Sequence, residues 1–289
     1  MKDSLRRFLF EHLPVRGELV HLDATWQAVL ERHEYPAPLR KVLGELMAAA
    51  GLLAATLKFD GSIILQLHGS GPVSLIVVEC TSEQTLRATA KWSGELQGED
   101  LPALLGSGRF VITLSPTGGT QTYQGVVDLE GRTVAACLEH YMSRSEQLET
   151  RLLLAADNTR SAGMLLQQLP GQEEHDSDAW TRIGCLGSTL SDTELLNLAP
   201  EALLHRLYNE DDVRLFEPRP VSFRCSCSTQ RVVSMLRMLG HEEIRSIVAE
   251  RNTVDVTCEF CNKRYTFDAV DAEQVFASDA MALPGATRH

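Results

Sequence analysis

Basic residues, aromatics and cysteine are all scarce in this chain of 289 residues, and their scarcity narrows what it can do. Its 27 Lys and Arg stand against 39 Asp and Glu, a formal charge of −12. With no strongly basic segment, phosphate-driven nucleic-acid binding lacks its electrostatic footprint, and no nucleic-acid partner is expected. The longest apolar-rich stretch, LMAAAGLLAATL at 46–57, is too short to span a bilayer and reads as a buried helix. No membrane partner is expected either. The opening residues, MKDSLRRFLFEHLPVRGE, include basic ones but no apolar run followed by a small-residue cleavage site. The expected location is therefore cytoplasmic, where clustered cysteines serve as metal ligands or redox groups more often than as structural disulfides.

Catalytic signatures are missing as well. There is no G-x-S-x-G, no H-E-x-x-H and no paired-carboxylate motif. Gly-Ser-Gly occurs at 69–71 and 106–108, but neither copy has the Lys-Ser/Thr of a phosphate loop, so both read as turns. His140 follows Cys137 by three residues and reads as a buried core pair; Cys80, ending an apolar strand, also reads as core. No catalytic residue is nominated, and no enzyme is expected.

What the chain does have is enough apolar material for a core, 44% of its residues, and a division by charge. Residues 1–170 carry a net −4, residues 171–220 a net −7 and residues 221–289 a net −1. The first part reads as an α+β domain, mainly antiparallel sheet with packed helices, because strands follow strands with few helices between. GELVHL at 17–22 is a strand, after which Asp23 caps a helix through ATWQAVLERH. Pro36 and Pro38 open a longer, central helix, APLRKVLGELMAAAGLLAATLKF, apolar nearly all round. SIILQLHG, SGPVSLIVVEC and TLRATAKW follow as strands, then a hairpin of RFVITLSP and QTYQGVVDL around Pro116, Gly118 and Gly119. A helix, RTVAACLEHYMSRS, precedes a last strand pair, TRLLLAAD and AGMLLQQL.

The acidic break LPGQEEHDSD at 169–178 opens the second part, a helical linker over 171–220. Trp180, Ile183, Leu186 and Leu190 fall near helical spacing, as do Leu203, Leu204 and Leu207. Ser191 and Glu194 form a capping box. Gly184 and Gly187 inside the first helix each cost about 1 kcal/mol relative to alanine, and Pro200 and Glu210-Asp211-Asp212 interrupt the rest. Such a segment is helical only if another surface covers its apolar face.

The third part, 221–289, holds four of the seven cysteines in two pairs, FRCSCSTQ at 223–230 and VTCEFCNKRY at 256–265. TQRVVSMLRMLG is a helix closed by Gly240, HEEIRSIVAER a second helix, and TVDVTC with RYTFD a hairpin across CEFCNK. A C-x-x-C on a tight turn aims both sulfurs at one point, and a C-x-C in an extended segment projects both to one face. Cys225, Cys227, Cys258 and Cys261 thus make a four-sulfur site for one Zn2+, whose preferred protein ligand is thiolate. A thioredoxin-like role for CEFC is weaker, because a strand rather than a helix follows it. Zinc here can be purely structural, with an adaptor or enzyme activity residing in 1–170. Alternatively the thiolates can be a target for oxidants that form a local disulfide and eject the metal. Residue physics leans toward the structural role and leaves both open.

The same residues resemble the heat shock protein thirty-three family of redox-regulated bacterial holdase chaperones. FRCSCS, the spacer with LGHEEIRSIVAE, and VTCEFCNKRYTFD look like its C-terminal redox switch. VRGELVHL, LGELMAAAGLLAATLKFDG, GPVSLIVVEC, SEQLETRLLLA and GMLLQQLPG resemble its N-terminal core. The resemblance implies an N-terminal chaperone core over 1–170, the linker over 171–220 and a zinc-binding redox switch over 221–289. It implies one zinc per chain on Cys225, Cys227, Cys258 and Cys261 in a reduced, inactive form. Oxidation would then link Cys225 to Cys227 and Cys258 to Cys261, release zinc, unfold the linker and expose a surface for unfolding client proteins. The active form would be a homodimer that works without ATP. One departure from the family pattern, Asn252 where many relatives have glycine, is tolerable because Asn adopts left-handed conformations.

Overall fold

The computed structural model describes residues 2–58, 60–118, 121–170 and 178–280. Gly119 of the expected turn, residues 171–177 of the acidic break and residues 281–289 lie outside the described residues. The chain begins with a strand that sequence patterning does not announce, β1 (Ser4–Phe10), followed by β2 (Val15–Leu22), α1 (Ala24–Leu30) and the long α2 (Ala37–Ala55). Next come β3 (Gly61–Gly69), β4 (Val73–Thr81), β5 (Thr85–Trp92), α3 (Leu101–Leu105), β6 (Gly108–Pro116) and β7 (Tyr123–Asp128). Then α4 (Val134–Tyr141), extended by a π-helical turn at Met142–Glu146, leads to the hairpin β8 (Thr150–Ala156) and β9 (Ser161–Gln168). Three helices, α5 (Ala179–Ser188), α6 (Asp192–Asn197) and α7 (Pro200–Tyr208), precede three short strands, β10 (Val213–Leu215), β11 (Arg219–Pro220) and β12 (Ser222–Phe223). The remainder is α8 (Thr229–Leu239), α9 (His241–Arg251), β13 (Val254–Thr257), β14 (Arg264–Phe267) and α10 (Ala269–Ala280). No helix among the described residues is long and apolar enough to cross a membrane.

Two units result, Met1–Arg224 and Cys225–His289. The first is the expected α+β fold of largely antiparallel sheets. One sheet has the order β10-β1-β2-β9-β8, with β11 also on β1, and the other runs β12-β5-β4-β3-β6-β7. Helix α2 packs against strands of both sheets and is buried along nearly its whole length. Its run of Ala48, Ala49, Ala50 and Gly51 keeps the helix slim enough to lie against two sheets at once.

The first sheet is apolar on both faces. Leu5, Val20, Leu22, Leu152 and Leu165 join the core around α2. Their alternate neighbours Phe8, Phe10, Val15, Leu19, Met164 and Leu166 form a second core with Ile183, Leu195, Leu203, Leu207 and Tyr208 of α5–α7. Register enforces this division, because successive strand residues point to opposite faces. Arg6 and His21 lie on the helix-covered face: Arg6 pairs with Glu201, and the buried His21 ring meets the Leu195 carbonyl at 2.9 Å.

Helix starts bring one correction. The Asp23 side chain does not cap α1. Asp3, from the edge of β1, accepts hydrogen bonds from the backbone N–H groups of Asp23, Ala24 and Thr25 at 2.7, 3.1 and 2.5 Å. The cap thus ties the first strand to the first helix. The Ser191–Glu194 capping box forms as expected, and Pro200, expected only to interrupt, sits in the first turn of α7. Asp3→Ala should lower stability by about 1–2 kcal/mol, the upper range for a lost cap, and shift the urea midpoint of the reduced protein accordingly. A loss no larger than that of Asp23→Ala would contradict the assignment.

Candidate metal centre

Two local structures bring the four sulfurs together. Beyond β12 the chain runs extended through Cys225 and Cys227 and then turns into α8, whose first turn is capped by the Ser228 hydroxyl accepting from Arg231 N–H. Between the two cysteines, the Ser226 hydroxyl takes a 2.6 Å hydrogen bond from Arg231 Nη1. The second pair sits on the β13–β14 hairpin. Cys258 N–H donates to the Lys263 carbonyl at 3.0 Å and Asn262 N–H to the Cys258 carbonyl at 2.8 Å. Asn262 takes the left-handed conformation, φ +57°, which closes this turn and which Asn tolerates better than most residues.

The four Sγ atoms lie within 4.8 Å of one another. Cys225 and Cys258 are 3.6 Å apart, and Cys227 and Cys261 are 3.4 Å apart. Four sulfurs bound tetrahedrally at about 2.3 Å from a metal stand about 3.8 Å from each other, so the donor set fits one tetrahedral ion. All four are half-buried free thiols. The unit around them has a thin core, Val232, Leu236, Ile244, Val254, Tyr265, Phe267, Ala272 and Val275. Cores this small usually need a metal or a disulfide to hold them. C-x-x-C is followed by β14, not by a helix, which removes the thioredoxin arrangement.

Tyr265 is the residue that sequence reading missed. Its hydroxyl donates to Cys227 Sγ at 3.1 Å. The signal was there: period-two alternation in RYTF turns Tyr265 and Phe267 to the buried side of β14. Burial opposes ionisation of Cys227, but the hydrogen bonds from Tyr265 and from the other three sulfurs outweigh it and bring the thiol down to about 7. Cys225 and Cys261 move the other way, burial first, and Cys261 reaches about 12. In the metal-free cluster one thiolate therefore forms easily and holds the protons of its neighbours.

The remaining cysteines stay apart from this chemistry. Cys80 is buried on β4, where burial raises its pKa strongly, and Cys137 is buried on α4 and pushed up to about 11. Cys185 is exposed on α5. His140 is not the core partner of Cys137 that its spacing implied: its Nε2 faces Glu130 Oε2 at 3.1 Å.

A two-sheet domain built around one helix, followed by a small module organised on four thiols, defines a class of α+β proteins with a C-terminal four-cysteine metal module. The family model described as Hsp33 protein matches residues 3–268, and the chain belongs to that family. The 33 kDa chaperonin of Methylobacillus flagellatus is 53% identical over 287 residues, covering 99% of this chain and 98% of that one. That of Chromobacterium violaceum is 53% identical over 290 residues, with 99% and 98% covered. The crystal structure of the 33 kDa chaperonin from Thermotoga maritima superposes with a TM-score of 0.84 over 96% of this chain and 99% of that one. At 21% identity it speaks for the fold alone.

Tyr265→Phe should raise the Cys227 pKa above about 7 in metal-free protein and weaken metal retention by about 10–100-fold, the usual cost of losing a hydrogen bond to a ligand. Alkylation rate against pH and chelator competition read the two effects. An unchanged pH profile would remove Tyr265 from the site. Because ligands must be deprotonated, acidification should release the metal.

Proposed function

We propose that the protein is a redox-gated, ATP-independent holdase for unfolding client proteins in the cytoplasm, silent when reduced and loaded with one Zn2+. The observation that carries this reading is the second core of the first unit: α5–α7 cover an apolar sheet face formed by Phe8, Phe10, Val15, Leu19, Met164 and Leu166. Uncovered, that face is a contiguous surface able to hold exposed apolar segments of other proteins. The chaperonin names of the relatives agree with it.

In this account Cys225, Cys227, Cys258 and Cys261 hold zinc as thiolates. Peroxide takes two electrons from a thiolate pair. The O–O bond breaks, an S–S bond forms through a sulfenic acid, and the two oxygens, taking up two protons from solvent in addition to the peroxide's own two, leave as two waters. Two such events convert four ligands into two disulfides and free the metal. The reduced geometry brings Cys225 nearest Cys258 and Cys227 nearest Cys261, yet we assign the bridges Cys225–Cys227 and Cys258–Cys261. As the module loosens, the sulfurs of each sequence pair stay within three or four residues of chain, whereas a cross pair must close a loop of over thirty residues.

The covering segment suits a releasable role, and we treat 171–220 as a linker between a core over 1–170 and a switch over 221–289. Its described helices have 10, 6 and 9 residues, each too short to persist alone. β12 ends two residues before Cys225, so disorder starting at the sulfurs reaches the linker along the chain. The freed face also gives two oxidised copies a surface on which to pair as a homodimer.

Light scattering of an aggregating client, with reduced zinc-loaded protein and with protein warmed in peroxide, tests the switch: only the oxidised sample should suppress aggregation. Equal behaviour would make the cysteines scaffolding and return the activity to 1–170. Gly184→Ala should raise the oxidant dose needed, because an added Cβ there meets nothing and stabilises α5 by about 1 kcal/mol. Gly187→Ala is no substitute, since its Cβ would stand 3.1 Å from the Tyr208 hydroxyl and 3.2 Å from Leu166. An unchanged dose with demonstrably higher α5 helicity would count against the linker's role.

A further inference from the structure

A cavity of about 640 Å3 in the first unit takes no part in the chemistry above. It lies where α2 ends, at Ala55, and stops covering the first sheet. Arg7 stands opposite Glu18 and Leu9 opposite Arg16 in the β1–β2 register, which puts Arg7, Glu18 and Arg16 on one face there. The chain at Phe216–Arg219 runs along β1 and lines the same cavity, held by Phe216 N–H on the Arg7 carbonyl at 2.9 Å.

Glu18 is the unusual group. Its side chain is 2% exposed, and its Oε2 has no hydrogen-bond partner among the described residues. Arg7 Nε stands 3.4 Å from the other oxygen. Burial drives the Glu18 carboxyl up to about 7 against the pull of Arg7, Arg16 and Arg219. A buried carboxyl with an unpaired oxygen is costly in its charged form, and the neighbouring cations offset only part of that cost. Around it the charge is positive: Arg7, Arg16, Lys58 and Arg219 line the cavity against Glu18 and Glu217 alone. Arg16 spends two nitrogens on Gln167 Oε1 and Arg219 one on the Ser82 carbonyl at 3.1 Å, leaving further N–H groups on each. Lys58 has no partner among the described residues. The rest of the wall is apolar, with Leu5, Leu57 and Phe216.

We propose that this cavity binds a small amphipathic organic anion, its acidic head held by the cations Arg7, Arg16, Lys58 and Arg219 and its apolar body against Leu5, Leu57 and Phe216. The volume falls in the range of small-molecule sites, which combine apolar walls with a few convergent polar groups. Carboxylate and phosphate heads share the required chemistry, and paired probes separate them.

Titration calorimetry on the reduced full-length protein, with octanoate, octyl phosphate, octanol and octylammonium, tests the site. At least one of the two anions should bind saturably at one per chain and at least about tenfold more tightly than octanol, the difference a charge-assisted hydrogen bond gives. Octylammonium should not bind. Lys58→Ala combined with Arg219→Ala should weaken the anion about tenfold or more, with the reduced melting curve confirming the fold. Leu57→Trp, which fills the cavity without touching its charge, should block the anion independently. Octanol binding as well as both anions, or an anion affinity unmoved by either variant, would overturn the proposal.

Discussion

Both faces of the β10-β1-β2-β9-β8 sheet are apolar, and the arrangement of the first unit follows from covering them. One face is closed by α2, which reaches the second sheet with its other side. Among the described residues, the other face is covered mainly by α5–α7. Each fully buried Leu, Phe or Val there is worth about 1.5–3 kcal/mol, so the three short helices are held by the sheet far more than by their own propensity. In the proposed switch, a cover that depends on its substrate in this way is released as a unit. Ion pairs join α5 to the turn after α7, Arg182 with Asp211 at 2.8 Å, and α7 to α6, Arg206 with Glu194 at 2.6 Å, so the three helices form one cover.

The second unit has the opposite economy of structure. Its apolar core is small, and four thiols at metal-binding distance occupy the position where a larger domain would place more core. Tyr265 joins the two, since one side chain packs in that core and donates to Cys227. The proposed switch makes chemistry at sulfur and folding of the module one equilibrium, as for metal sites that form only in the folded chain. The reading of the protein as a switch combines this coupling with the dependent cover on the first sheet.

Much of this was legible in the residues. β3–β9 announced themselves through β-rich runs between turn residues, and the four cysteines through spacing alone. β1 did not, because a strand covered on both faces loses the alternation that marks a half-exposed one, and SLRRFLF puts two arginines in its middle. β10, β11 and β12 have two or three residues each and no local signal; they exist because β1 and β5 offer open edges. Asp3 as the cap of α1 is a tertiary contact twenty residues from its target, beyond the reach of any local rule. Gly187 read as a weakness of α5, whereas the structure makes it the point where that helix comes close to Leu166 and Tyr208. Tyr265 was visible as an inward strand residue, but its hydroxyl acquires meaning only when Cys227 is brought beside it from the other pair.

Amide hydrogen exchange read by mass spectrometry, on reduced metal-loaded protein and on the same protein after peroxide treatment and metal release, tests the account most directly. Protection should collapse over 179–223 and throughout 225–280, while β2, β8 and β9 remain protected. If client aggregation is suppressed while 179–223 stays as protected as in the reduced protein, the covered sheet face is not the working surface and the account fails.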